Sequence, residues 1–266
     1  MLLNWIGRNK YKLMVFTIVL YLLLDVWLHK GLTRTLFPKK FPPINTAFIP
    51  VQNNNTIINK GSKWVKAVNS VQLIDRLDTA ANGFECDVYY NKSQDAFFVN
   101  HNNTTSSAYN LDSILYAYQH RGLKAGIWID LKNLRDSNYT EATAALVKLR
   151  DKYDLSNKML VESNRSNLLR PFSDSGFFTC YYAPLFNPYS CGNDSLRYWV
   201  SYISEKVRSF PINAISCYYF QYPFLKEYFP QYKILTWSTT DKWSLVSWIS
   251  RKKILADKAV FIALYP

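Results

Sequence analysis

Phe84-Glu85-Cys86-Asp87-Val88-Tyr89, entered through Gly83 and left through Tyr90, turns back shortly into Phe97-Phe98-Val99-Asn100-His101. Side chains alternate faces along a strand, so Glu85 and Asp87 share one face and Cys86 takes the other. Two neighbouring carboxylates repel each other unless a cation or a shared proton lies between them. An all-oxygen pair of this kind suits a hard divalent cation, Mg²⁺ or Ca²⁺. His101 ends the returning run, where an imidazole can act as acid or base.

Working outward from this strand, short apolar runs alternate with longer amphipathic stretches. Strands are predicted at 63–68, 84–89, 126–131, 159–162, 177–182, 213–218, 233–238 and 259–264, with a short extra strand at 96–99. Helices are predicted at 71–80, 111–119, 140–152, 166–173, 195–208, 223–229 and 241–251. Asn110 is placed to cap the second of these, and Asn193 or Asp194 the fifth. Eight strand-then-helix units in about 200 residues point to an α/β fold, a single (β/α)8 TIM-type barrel. An open doubly wound sheet is the competing arrangement, but no Gly-rich phosphate loop follows the first strand.

The N-terminus reads differently. Residues 13–29 are almost wholly apolar, broken by Asp25, and Arg8, Lys10 and Lys12 precede them. The run is close to the roughly 20 residues that span a bilayer. The preceding cations favour a cytoplasmic N-terminus, with residues 1–12 inside and the barrel on the periplasmic, extracellular or lumenal side. A cleaved signal peptide competes, but no small-x-small cleavage site follows. Residues 30–59, with Pro38, Pro42, Pro43 and Pro50, read as a tether to a barrel covering 60–266.

The 266 residues carry a net charge of +13, and 48% are hydrophobic, enough for a sizeable core. No Lys/Arg run or aromatic RNA-binding signature appears in the barrel region, so no nucleic-acid partner is expected. The basic excess fits an anionic surface such as lipid headgroups, or an ordinary solvated face. Cys86, Cys180, Cys191 and Cys217 match no zinc spacing. Pairing of Cys180 with Cys191 or with Cys217, or four free thiols, all remain open.

Functional residues of such barrels cluster at the C-terminal ends of the strands. That rule gathers Lys66 and Asn69 from the first strand and Glu85 and Asp87 from the second. His101 follows from the returning run, Asp130 and Lys132 from the third strand, and Glu162 and Trp237 from the fourth and seventh. Three acids beside two lysines and one histidine suit phosphate-ester chemistry around a divalent ion. A structural ion-pair network is the plainer reading of the same acids and lysines.

The run Trp64-Val65-Lys66-Ala67-Val68-Asn69-Ser70, the Phe84–Val88 strand, Asn100-His101 and Trp128-Ile129-Asp130-Leu131-Lys132-Asn133-Leu134 resemble a known family. It is the menorin-like branch of the glycerophosphodiester phosphodiesterase and phosphatidylinositol phospholipase C-like barrels. The resemblance covers roughly residues 60–266. It implies phosphodiester hydrolysis by two histidines, with acidic residues holding Ca²⁺ or Mg²⁺. Carried onto this chain, the second histidine is His101 and the metal ligands are Glu85 and Asp87, with Asp130 as a third. From their places at the mouth, Lys132, Asn69 and Trp237 are expected to meet the substrate. The first histidine is replaced by Lys66. An ordinary lysine is protonated near neutral pH and cannot take a proton. Two functions follow as expectations. One is a membrane-anchored phosphodiesterase with His101 and Lys66 as its catalytic pair. The other is a non-catalytic barrel binding an anionic ligand, a lipid headgroup or a partner protein.

Overall fold

The computed structural model describes residues 2–45, 51, 55–58, 60–101, 109–208, 210, 212–238, 241 and 243–265. Helix α1 (Leu2–Leu28) leads into α2 (Lys30–Leu36). The barrel strands are β1 (Lys63–Val65), β2 (Gly83–Asn91), β5 (Gly126–Leu131), β6 (Met159–Ser163), β7 (Phe178–Tyr182), β8 (Ala214–Tyr218), β9 (Lys233–Trp237) and β10 (Val260–Tyr265). Between β2 and β5 lie two short strands, β3 (Ala96–Val99) and β4 (Tyr109–Asn110). The packed helices are α3 (Val71–Arg76), α4 (Leu111–His120), α5 (Tyr139–Lys152), α6 (Arg170–Asp174), α7 (Asn193–Arg208), α8 (Tyr222–Tyr228) and α9 (Leu245–Ala256).

The eight barrel strands pair in parallel in the order β1-β10-β9-β8-β7-β6-β5-β2, and β1 pairs with β2 to close the ring. This is the predicted (β/α)8 barrel. Its strands were readable because parallel strands are covered on both faces and so run nearly continuously apolar. Outward residues such as Phe84, Cys86, Ile127, Ile129 and Val161 pack under the helices. Inward residues such as Trp64, Trp128, Leu160, Phe178, Leu235 and Ile262 form a separate core inside the ring.

The floor of that inner core explains two glycines. Gly83 and Gly126 are register partners on β2 and β5. A Cβ on either would lie 2.2 or 2.4 Å from the Trp64 ring, which is fully buried. Glycine at both positions is what allows a full indole to plug the ring.

Caps set several helix starts. Asn110 accepts from the Asp112 amide, as expected, Ser70 caps α3 and Ser244 caps α9. The two-residue β4 was not expected, and α9 starts at Leu245, four residues later than predicted. All four cysteines are free, with Cys86, Cys180 and Cys217 buried.

Within α1, residues Asn9–Leu28 form a helix long and apolar enough to cross a membrane. Residues 30–36, read above as the start of a tether, are instead helical and lie along α9. There Ser250 Oγ donates to the Leu32 carbonyl at 3.1 Å. Further on, Phe41 packs against Phe224, Tyr189 and Tyr228, and Tyr228 Oη donates to the Pro42 carbonyl at 2.6 Å. Short-range turn signals dominate this segment, and its aromatic contacts are long-range, so sequence periodicity carries no trace of them.

Candidate functional site

At the mouth, inward positions two residues above the apolar floor turn acidic. Glu85 and Asp87 follow Gly83 on β2, Asp130 follows Trp128 on β5, and Glu162 follows Leu160 on β6. All four carboxylates line one pocket of about 140 Å³, with Lys66, Lys132, His101, Trp128, Tyr182, Tyr218 and Trp237. Eight of the nine residues gathered from the sequence therefore meet at one place. Asn69 is the ninth, and it serves a different partner.

Asn69 Nδ2 donates to Asp87 Oδ2 at 2.7 Å, while the Asp87 amide donates to Asn69 Oδ1 at 2.9 Å. This two-sided clamp makes Asn69 the residue that orients Asp87. Beside it, Ala67 adopts φ 57°, the left-handed region. For a non-glycine residue this costs on the order of 1 kcal/mol. The turn aims the Ala67 amide at Glu85 Oε2, 2.6 Å away.

His101 reaches the mouth through the β2–β3 hairpin. β2 runs past the barrel rim, and Val88 pairs with Val99 in antiparallel register. The Asn100 amide then donates to the Asp87 carbonyl at 3.1 Å. That bond returns the chain to the level of the acids, and His101 is the next residue.

Lys132 is the counter-ion of the cluster. Its Nζ lies 2.7 Å from Asp87 Oδ1 and also pairs with Asp130. Burial acts to raise Asp87, but the Lys132 ammonium and the hydrogen bonds from Lys132 and Asn69 together hold this carboxyl below its ordinary range. Burial likewise opposes the charge on Lys132, and Asp130 and Asp87 together push its pKa up. Among the described residues Glu85 pairs with no cation of its own, and burial and then the Asp87 charge raise it to about 8. Burial, with the Asp130 charge, drives Glu162 well upward too.

Carboxylate oxygens of Glu85, Asp87 and Asp130 lie within 4.8 Å of one another. Two Ca²⁺–oxygen bonds of about 2.4 Å can bridge such a gap, and the donors are all hard oxygens. The cluster therefore fits a hard divalent cation. Deeper in the pocket, Glu162 Oε2 and Trp128 Nε1 are buried with no hydrogen-bond partner among the described residues. Only the depth of Glu162 shows that it presents an unpaired oxygen to the pocket. The opposite wall is aromatic: Trp237 packs against Tyr182 and Tyr218 with ring centroids 5.5 and 4.7 Å apart.

No protein-family model and no curated protein matches the sequence. Solved structures do resemble the fold. A glycerophosphodiester phosphodiesterase from Parabacteroides distasonis superposes with a TM-score of 0.55 at 13% identity, over 77% of this chain and 93% of that one. A phosphodiesterase from Oleispira antarctica, solved with the product sn-glycerol-3-phosphate, gives 0.53 at 12%, over 77% and 92%. At these identities the likeness concerns the fold alone: this chain folds into a (β/α)8 barrel like theirs.

Proposed function

We propose that this protein is a membrane-anchored, outward-facing phosphodiesterase of the menorin-like branch, acting on a phosphodiester at the barrel mouth. One observation carries the reading: four acids, two lysines and a histidine line a single pocket, three of the acids close enough to share an ion, in a barrel that folds like those of phosphodiesterases. A Mg²⁺ or Ca²⁺ ion held by Glu85, Asp87 and Asp130 would polarise a phosphoryl oxygen. Lys66 and Lys132 would hold the non-bridging oxygens as charge develops on them. His101 would give a proton to the leaving alkoxide oxygen. Asn69 keeps Asp87 oriented for this work. Trp237, Tyr182 and Tyr218 offer an apolar wall to the organic part of the substrate. The apolar span and the cations before it support a single-pass anchor with the N-terminus in the cytoplasm.

The test is hydrolysis of a panel of glycerophosphodiesters and phosphoinositides with Mg²⁺, Ca²⁺ or Mn²⁺. Turnover that drops about 100-fold or more in His101→Ala is the expected result. A second reading, a barrel that binds an anionic headgroup without turning it over, is favoured by Lys66 standing where a two-histidine mechanism needs an imidazole. Binding without turnover, together with activity gained in Lys66→His, would establish that second reading and overturn the first.

A further inference from the structure

The contacts between the N-terminal helices and α9 have a direction. Tyr21 Oη donates to the Trp243 carbonyl, and Asp25 Oδ2 accepts from the Val246 amide at 3.0 Å. Leu32 then meets Ser250, and the Leu36 carbonyl accepts from Lys253 Nζ. Both members of each pair advance together, so α1 and α2 run parallel to α9. In a barrel of this type a helix starts at the mouth and returns to the floor. α9 does so directly after β9, the strand that brings Trp237 to the pocket. The chain before Tyr21 therefore leaves the barrel at its mouth.

The junction is locked. Asp25, the acid inside the apolar span, is 5% exposed and meets the N-terminal turn of α9. His29 bridges Asp25 and Asp241 at 3.0 and 2.9 Å. Beyond this clasp, residues 11–20 are exposed throughout. Residues 9–20 reach ~18 Å at ~1.5 Å per residue, well short of a hydrocarbon core ~30 Å thick. The remaining ~12 Å has to come from the lower turns at 21–28, which draws the rim they grip against the membrane surface. That rim presents Trp243 at 89% exposure, with Leu245 beside it. Tryptophan is the residue enriched at that depth. Lys252, over the exposed Trp248 ring at 4.0 Å, adds a cation on the same helix.

We infer that the barrel mouth faces the bilayer that α1 enters, so that the pocket takes its phosphodiester from a membrane lipid headgroup rather than from solution. The inference rests on reading α1 as a retained span and the pocket as a phosphodiester site.

The orientation is tested with the full chain in phosphatidylcholine vesicles whose lipids carry bromine near the headgroup. Bromine should quench a tryptophan component that disappears in Trp243→Phe. Equal quenching of the two proteins overturns the orientation. In unbrominated vesicles of the same lipid, release of the phosphatidylcholine headgroup is compared with hydrolysis of soluble glycerophosphocholine. Asp25→Ala, which opens the clasp, should lower the lipid rate at least tenfold and leave the soluble rate within twofold. An equal fall in both rates overturns presentation from the membrane. No turnover of either substrate by the wild-type protein counts against the phosphodiesterase reading, and quenching then decides the orientation by itself.

Discussion

The floor and the mouth of this barrel are built by the same strands, two residues apart, and obey opposite rules. At the floor, Gly83 and Gly126 make room for the Trp64 ring, and Trp128, Leu160, Phe178, Leu235 and Ile262 pack with it as an apolar, buried cluster. At the mouth, the next inward positions are Glu85, Asp87, Asp130 and Glu162, and Glu162 Oε2 is buried without a hydrogen-bond partner among the described residues. The floor is optimised for packing. The mouth retains buried charge that packing alone would remove, which is the usual signature of a site kept for chemistry.

The sharpest way to break the comparison is at the floor. Gly126→Val would drive a side chain into the Trp64 ring, and it should cost more than about 4 kcal/mol or abolish folding, beyond the usual range for overpacking. Urea unfolding followed by circular dichroism measures this. The effect should be the same with or without a divalent ion, because the floor has no part in binding one.

At the mouth, Lys132→Met leaves Asp87 and Asp130 without their cation. The expected loss is about 3 kcal/mol in chelator, since an uncompensated buried charge is strongly destabilising. Saturating Mg²⁺ or Ca²⁺ should restore most of it, as an ion then takes over the lysine's role. Thermal melts with and without the ion read both numbers. If the ion restores nothing, the acids are a structural ion-pair network and the two ends of the barrel do not differ in kind.

A smaller effect separates the two ends by pH. Glu85 has a folded value of about 8, above the 4.5 of an ordinary glutamate. Its contribution to stability is therefore complete below the ordinary value and is lost as pH rises toward 8. In chelator the slope should be on the order of 1 kcal/mol per pH unit in that window. Asp87 is held low and acts in the opposite sense, losing its contribution only as pH falls below the ordinary aspartate range. Glu85→Gln should remove about 1 kcal/mol per pH unit from the slope between pH 5 and 8 in urea titrations, leaving the part that Glu162, also raised, contributes. Trp64 substitutions should leave it unchanged.

The difference between the two ends also decides what the sequence could reveal. Strands were legible because their outward and inward residues are apolar together, and Glu85, Asp87, Asp130 and Lys132 were legible because strand ends and period two place them. The role of Asn69 was not. Its clamp on Asp87 joins residues 18 apart, and a loop asparagine looks the same whether it meets substrate or neighbour. The depth of Glu162 depends on the stagger of β5 against β6, which no local pattern encodes. The docking of α2 on α9 is more remote still, since it pairs Leu32 with a serine 218 positions away.

The ring of strands is not equally strong all round. β2 and β5 share six register pairs, whereas β1 and β2 share one, Val65 with Phe84, backed by the Val68 amide donating to the Glu85 carbonyl at 2.8 Å. Local opening in proteins starts where the fewest bonds must break. This seam should therefore part first, with amide protons of residues 65–68 exchanging faster than those of β5. The same four residues include Lys66 and the Ala67 amide that holds Glu85. Breathing of the barrel and loosening of one wall of its pocket are then a single motion.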